Sequence, residues 1–159
     1  MNNVLTMEWD ETDERILNEL MANAKIPLRG LAKKIGVSFV TVMNRIKRLE
    51  KAGIITGYSA RINYALLNYN VHALIEVRIV KGKFFDLERK LAAFPEIYAV
   101  YDTTGDFDAT ILGWFQSTRA LDNCIKKMQT LDYVERTLTK IILNTIKEGQ
   151  VRLHTPNKG

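Results

Sequence analysis

Thr41–Tyr58 reads TVMNRIKRLEKAGIITGY, and two demands meet in it. Val42, Ile46 and Leu49 recur at i, i+4 and i+7, the spacing of one buried stripe on a helix. Arg45, Lys47, Arg48 and Lys51 fall on the remaining surface, where they can reach a polyanion. Ser38 supplies an N-cap oxygen, and Gly53 supplies the left-handed residue that ends the helix. A helix held along one side and cationic along the other is what insertion into a DNA groove requires.

Upstream, Asp10 can cap a first helix whose first turn carries Asp13 and Glu14 and whose apolar face is Ile16, Leu17 and Leu20. Pro27 fits the opening of a second helix with Leu28, Leu31, Ala32 and Ile35 spaced for burial, stopped by Gly36. Only Val37 separates that glycine from Ser38, and two helices joined by so tight a turn make a helix-turn-helix. After Gly53, the run Ile54–Tyr58 and the alternation of Ala60 and Ile62 predict a short hairpin, or wing. Residues 1–62 are therefore expected to form a winged helix-turn-helix DNA-binding domain, followed by a linker over 63–70 where periodicity is lost.

Beyond the linker the period changes to two. Val71, Ala73, Ile75, Val77 and Ile79 alternate along one strand. Phe84, Leu87, Leu91 and Phe94 then show helical spacing, stopped by Pro95. Ile97–Tyr101 and Ala109–Phe115 read as strands joined at Gly105; a helix capped by Ser117 follows, with Leu121, Ile125 and Met128 on one stripe. Val134–Ile146 closes as a long strand. The order β-α-β-β-α-β folds as a ferredoxin-like sheet with helices on one side, giving an α+β chain with its second domain at 71–150. Leu74 on the outer set of the first strand, and Leu112 and Trp114 alternating with Ile111 and Phe115, make both sheet faces apolar. Such a face needs a cover, so dimerisation by sheet-on-sheet packing is expected. Residues 151–159 read as a tail, partly disordered.

A chain of 159 residues with 47% apolar content can bury a real core. It has no apolar run of membrane-spanning length. Its N-terminus carries Glu8, Asp10 and Glu11 where a signal peptide needs positive charge. A single cysteine, Cys124, cannot pair internally and suits a reducing cytoplasm, as a buried structural thiol. His72 and His154 are far apart and no cysteine pair exists, which disfavours zinc. Calcium-loop spacing and phosphate-binding glycine loops are missing as well, so no metal, cofactor or catalytic residue is expected. The net charge of +5 is unevenly spread: residues 1–24 hold six acids and one base, residues 25–61 nine bases against Glu50 alone. That asymmetry points to nucleic acid, and together with the groove-suited helix it makes double-stranded DNA the expected partner.

Within the third helix, residues near the start should meet base edges and later ones phosphates. Thr41, Asn44 and Arg45 are the candidates for the major groove, since Asn pairs bidentately with adenine and Arg with guanine. Ser38 caps the helix and can touch phosphate; Lys33, Lys34, Arg48 and Lys51 are positioning contacts by type. Phe39 and Val40, apolar and early in the helix, are either packed or in contact with thymine methyl groups.

Ser38-x-x-Thr41-Val42-x-x-Arg45-Ile46-x-x-Leu49-Glu50-x-x-Gly53-Ile54-Ile55-x-Gly57-Tyr58, with the later Thr104-Gly105-Asp106-Phe107-Asp108, resembles the Lrp/AsnC, or feast/famine, family of prokaryotic transcription regulators over about residues 8–150. The resemblance implies a winged helix-turn-helix joined to a βαββαβ domain that dimerises and binds small effectors. It also implies homo-oligomers, dimers and larger even assemblies such as octamers, and for many members an amino-acid effector. By themselves, Tyr101 to Asp108 read first as an ordinary turn in which Asp106 and Asp108 bond to nearby amides. The resemblance places the effector pocket there. Thr103, Thr104, Gly105, Asp106 and Asp108 would then offer hydroxyls, free amides and carboxylates to an α-carboxylate and an α-ammonium. Arg136, Thr137 and Thr139 on the last strand could line the same pocket from a neighbour. Two rivals share the architecture: a siroheme decarboxylase-like enzyme, which would need histidine or arginine at an anionic tetrapyrrole pocket, and a weakly specific architectural DNA-binding protein. The expected protein is a cytoplasmic, sequence-specific regulator and not an enzyme.

Overall fold

The computed structural model describes residues 8–80, 89–91 and 94–155. The chain divides into two compact units: residues up to Arg61 together with the segment from Glu148, and Ile62 to Lys147.

In the first unit, α1 spans Glu11–Ala22, α2 Leu28–Ile35 and α3 Phe39–Lys51. Asp10 and Asp13 form a reciprocal capping box at the start of α1, each side chain accepting the other's backbone N–H at 3.0 and 3.1 Å. The helix α2 ends on Gly36, whose φ of 77° is the left-handed conformation that a glycine takes without a Cβ clash. Ser38 then caps α3 by accepting the Thr41 N–H at 3.0 Å. The core is the set the periodicity picks out: Ile16, Leu17 and Leu20 meet Leu31, Ala32 and Ile35, and Val42, Ile46 and Leu49.

The wing segment after Gly53 differs from expectation. Residues 56–63 carry no strand, and Tyr58 and Ile62 are exposed. An isolated two-stranded hairpin is marginal in water, and the described residues of this unit form no sheet on which the alternating side chains could pack. The tail differs too. Leu153 packs against the three-helix core; its backbone N–H donates to Asn18 Oδ1, and Asn18 Nδ2 donates to its carbonyl, both at 3.0 Å. The backbone N–H and the hydroxyl of Thr155 both donate to Glu14.

The second unit opens with a 3-10 turn at Tyr64–Leu67 inside the expected linker, closed by left-handed Asn68. Strands β1 Val71–Ile79, β2 Ile97–Asp102, β3 Ala109–Phe115 and β4 Val134–Ile141 form one antiparallel sheet in the order β2-β3-β1-β4, with α4 at Thr118–Gln129. Of the helix expected around Leu87, residues 89–91 are helical and Leu91 is buried; Phe84 and Leu87 lie outside the described residues. The inner sheet face, carrying Ala73, Ile75, Val77, Ile111 and Phe115, packs with Leu121, Cys124 and Met128 of α4. The last strand stops at Ile141 rather than Ile146. Its partner β1 begins at Val71, so after the Ile142 N–H bonds the His72 carbonyl no ladder remains, and Leu143 and Ile146 are exposed.

The outer face is set by register. His72, Leu74 and Glu76 of β1 oppose Trp114, Leu112 and Thr110 of β3, while Leu74 and Glu76 also oppose Lys140 and Leu138 of β4. Trp114 stacks between Tyr64 and His72, with centroids 5.5 and 4.0 Å away.

Candidate functional site

The buried stripe of α3 fixes which residues point outward. At about 100° per residue, Val40, Asn44 and Lys51 lie roughly 150–175° from the stripe formed by Val42, Ile46 and Leu49, and Lys47 lies about 130° from it. All four are exposed. Thr41 is half-buried, and its hydroxyl lies 2.8 Å from that of Ser38, so the first turn of the helix is tied to its own cap. Lys33 at the end of α2 is exposed, whereas Lys34 pairs with Glu19 of α1.

Arg45 sits elsewhere. It lies only about 70° from the buried stripe, and its guanidinium reaches back to α1, with Nη1 at 2.6 Å from Asp10 and 3.1 Å from Asp13. Arg48 joins the same cluster through Asp13. Asp13 is fully buried, and a buried carboxylate needs such partners. The hydrogen bond from Arg45 holds the Asp10 carboxyl below the usual aspartate range, and the same bond raises the arginine. Of the residues expected at base edges, Asn44 is thus presented outward, Thr41 borders the face, and Arg45 is committed to two aspartates. Sequence reasoning placed Lys47 on the outward surface but gave it no contact role of its own, and the helical phase of Val42 and Ile46 puts it outside.

In the second unit, the turn between β2 and β3 borders a cleft of about 450 Å³ lined by Glu76, Thr103, Thr104, Asp106, Phe107, Thr110, Leu138 and Lys140. Gly105 has φ 122°, a backbone that other residues rarely take. Lys140 Nζ lies 2.6 Å from Glu76, so a cation and two carboxylates, those of Glu76 and Asp106, border one space with apolar Phe107 and Leu138. Arg136 lies over the Phe107 ring, 5.8 Å from its centroid. Two expected residues go elsewhere. The Asp108 carboxylate accepts the Ile79 N–H at 2.9 Å, closing the end of β1. Thr137 accepts a hydrogen bond from Gln129 of α4, on the helix-covered side. Glu76, Thr110, Leu138 and Lys140 were missed because only strand register brings them to the turn.

These two units define a helix-turn-helix transcriptional regulator with a separate α+β ligand-binding domain. Residues 10–56 match the winged helix-turn-helix DNA-binding model, and residues 72–151 match the Lrp/AsnC ligand binding domain. The HTH-type transcriptional regulator FL11 of Pyrococcus furiosus is 35% identical over 87% of this chain and 92% of its own. The structure of AsnC from E. coli superposes with a TM-score of 0.85 at 31% identity, covering 92% of this chain and 99% of that one. A feast or famine regulatory protein from M. tuberculosis, complexed with L-methionine, gives 0.82 at 31% identity over 92% and 99%. The chain belongs to the Lrp/AsnC family. No helix among its described residues is long and apolar enough to cross a membrane.

Proposed function

We propose that this regulator binds double-stranded DNA through the outward face of α3, and that a small zwitterion, an amino acid or close relative, in the β2–β3 cleft tunes that binding. The observation that carries the reading is the division of labour on α3. Its inner stripe is locked into a core while Asn44, Lys47 and Lys51 are exposed on the opposite side. Arg48, Lys33, Lys34 and the cap residue Ser38 supply phosphate contacts at its margins. Lys140 offers a partner for an α-carboxylate and Asp106 or Glu76 one for an α-ammonium. The apolar outer sheet face, with Leu138 and Tyr101 exposed, favours a homodimer as the building block of larger even assemblies. Regulation rather than catalysis, in the cytoplasm, fits the same features.

A thermal-shift screen against the twenty amino acids tests the effector half. A ligand at about 100 times its Kd stabilises by roughly 2.7 kcal/mol. The expected result is a shift for one or two amino acids that Asp106→Ala abolishes, and a matching change in DNA affinity. A shift that survives Asp106→Ala would move the site away from this cleft. DNA affinity unchanged by the same ligand would remove the coupling.

A further inference from the structure

We infer that α3 reads an A·T step, with Val40 against a thymine methyl and Asn44 on the neighbouring adenine, and that guanine reading by Arg45 is no part of its specificity. This deepens the proposed DNA binding and rests on it.

The inference follows from what α3 presents. Base edges are distinguished by hydrogen-bonding patterns and by the thymine methyl in the major groove, and a guanine is read by a guanidinium or ammonium free to reach O6 and N7. The guanidinium of Arg45 is held by Asp10 and Asp13, and that of Arg48 also engages Asp13. The remaining cations of the outward stripe, Lys47 and Lys51, sit in its third and last turns, where a helix entering by its N-terminal end meets phosphates. At the leading end two outward side chains remain. Val40 is 56% exposed, and Asn44 is exposed one turn later on the same line. Residues at i and i+4 lie about 6 Å apart along a helix, close enough to face neighbouring base pairs. An exposed valine gains nothing from water, but it matches the one apolar group in the groove. Asn44 matches adenine, whose N7 and N6 accept and donate together. Phe39, by contrast, packs beneath the guanidinium of Arg29, 5.9 Å from its ring centroid, and so turns toward α2.

Base analogues test this on the full-length protein. A binding sequence is first selected from a random duplex pool; each thymine is then replaced singly by deoxyuridine, which lacks the methyl, and each adenine by 7-deaza-adenine, which lacks N7. The expected result is one thymine per half-site whose replacement weakens binding about fourfold, the value of one buried methyl group, with no further loss in Val40→Ala. An adjacent adenine should lose at least about fivefold on 7-deaza substitution in the wild type and nothing in Asn44→Ala. Both side chains are exposed, so both variants should fold. Wild-type indifference to every deoxyuridine, or undiminished sensitivity in Val40→Ala, overturns the inference while leaving DNA binding intact. If no sequence is enriched while salt-dependent binding persists, specific reading itself fails, and the inference with it.

Discussion

Asp13 is fully buried, and its two arginine partners come from α3, more than thirty positions along the chain. Removing one member of such a cluster strips both arginines of a shared anion, and Asp13 also belongs to the capping box of α1. Asp13→Asn should therefore cost about 2 kcal/mol, near the value of hydrogen bonds to charged groups, read as a lower urea midpoint with unchanged slope. Arg45→Ala should weaken selected and random DNA by the same factor, since it positions α3 and is held away from the bases; a selective loss on the selected sequence would return it to the groove. Asp10 adds a pH dependence whose sign is fixed. Its folded pKa is depressed by Arg45, so its contribution is present above the ordinary aspartate value of about 3.9 and is lost as pH falls through the depressed one. With more than half of the Asp10 side chain solvated, that contribution is small. Cys124 shows the opposite case. Burial pushes its thiol up to about 11, and the thiolate is the reactive form. Iodoacetamide at neutral pH should leave it unmodified in the native protein and alkylate it only in denaturant.

At the scale of elements, the three helices and their caps were legible because their signals are local: Asp10, Pro27, Gly36 and Ser38 each act within one turn. The strands were legible from alternation. What escaped depended on partners distant in sequence. The Asp10–Arg45 pair joins α1 to α3, and no periodicity in either helix announces it. The cleft combines one turn with Glu76 of β1 and Lys140 of β4, which requires the register of three strands. The bonds that Asp108 makes to the end of β1 and Thr137 to α4 were hidden for the same reason. In β3, Gly113 is a test of packing rather than of backbone freedom. A Cβ there would lie 2.9 Å from the Phe115 ring and 3.0 Å from the Glu96 carbonyl. Gly113→Ala should cost about 1–3 kcal/mol, as overpacking does, with thermal unfolding as the measure; an unchanged midpoint would mean the ring moves freely.

For the whole molecule, the order of residues and the grouping of units disagree. Sequence composition set the last residues apart as a tail, yet the segment from Glu148 clusters with the first unit although the second unit intervenes. The reason is a pair of contacts that composition hides. Leu153 offers an apolar side chain to the three-helix core, and the Asn18 amide satisfies both its backbone groups, as a neighbouring strand would. The first unit is thus closed by a segment that follows the second unit along the chain, and its stability should depend on that segment. Leu153 is only partly buried, so Leu153→Ala should cost about 1–2 kcal/mol, below the range for a fully buried leucine. The two tryptophans make the location of that loss measurable, since Trp9 lies in the first unit and Trp114 in the second. In a Trp114→Phe background, Leu153→Ala should lower the Trp9 fluorescence midpoint by roughly 4–8 °C per kcal/mol. In a Trp9→Phe background the Trp114 midpoint should hold. Equal shifts in both would show that the two units melt as one cooperative block, and a shift in Trp114 alone would assign the tail to the sheet unit instead.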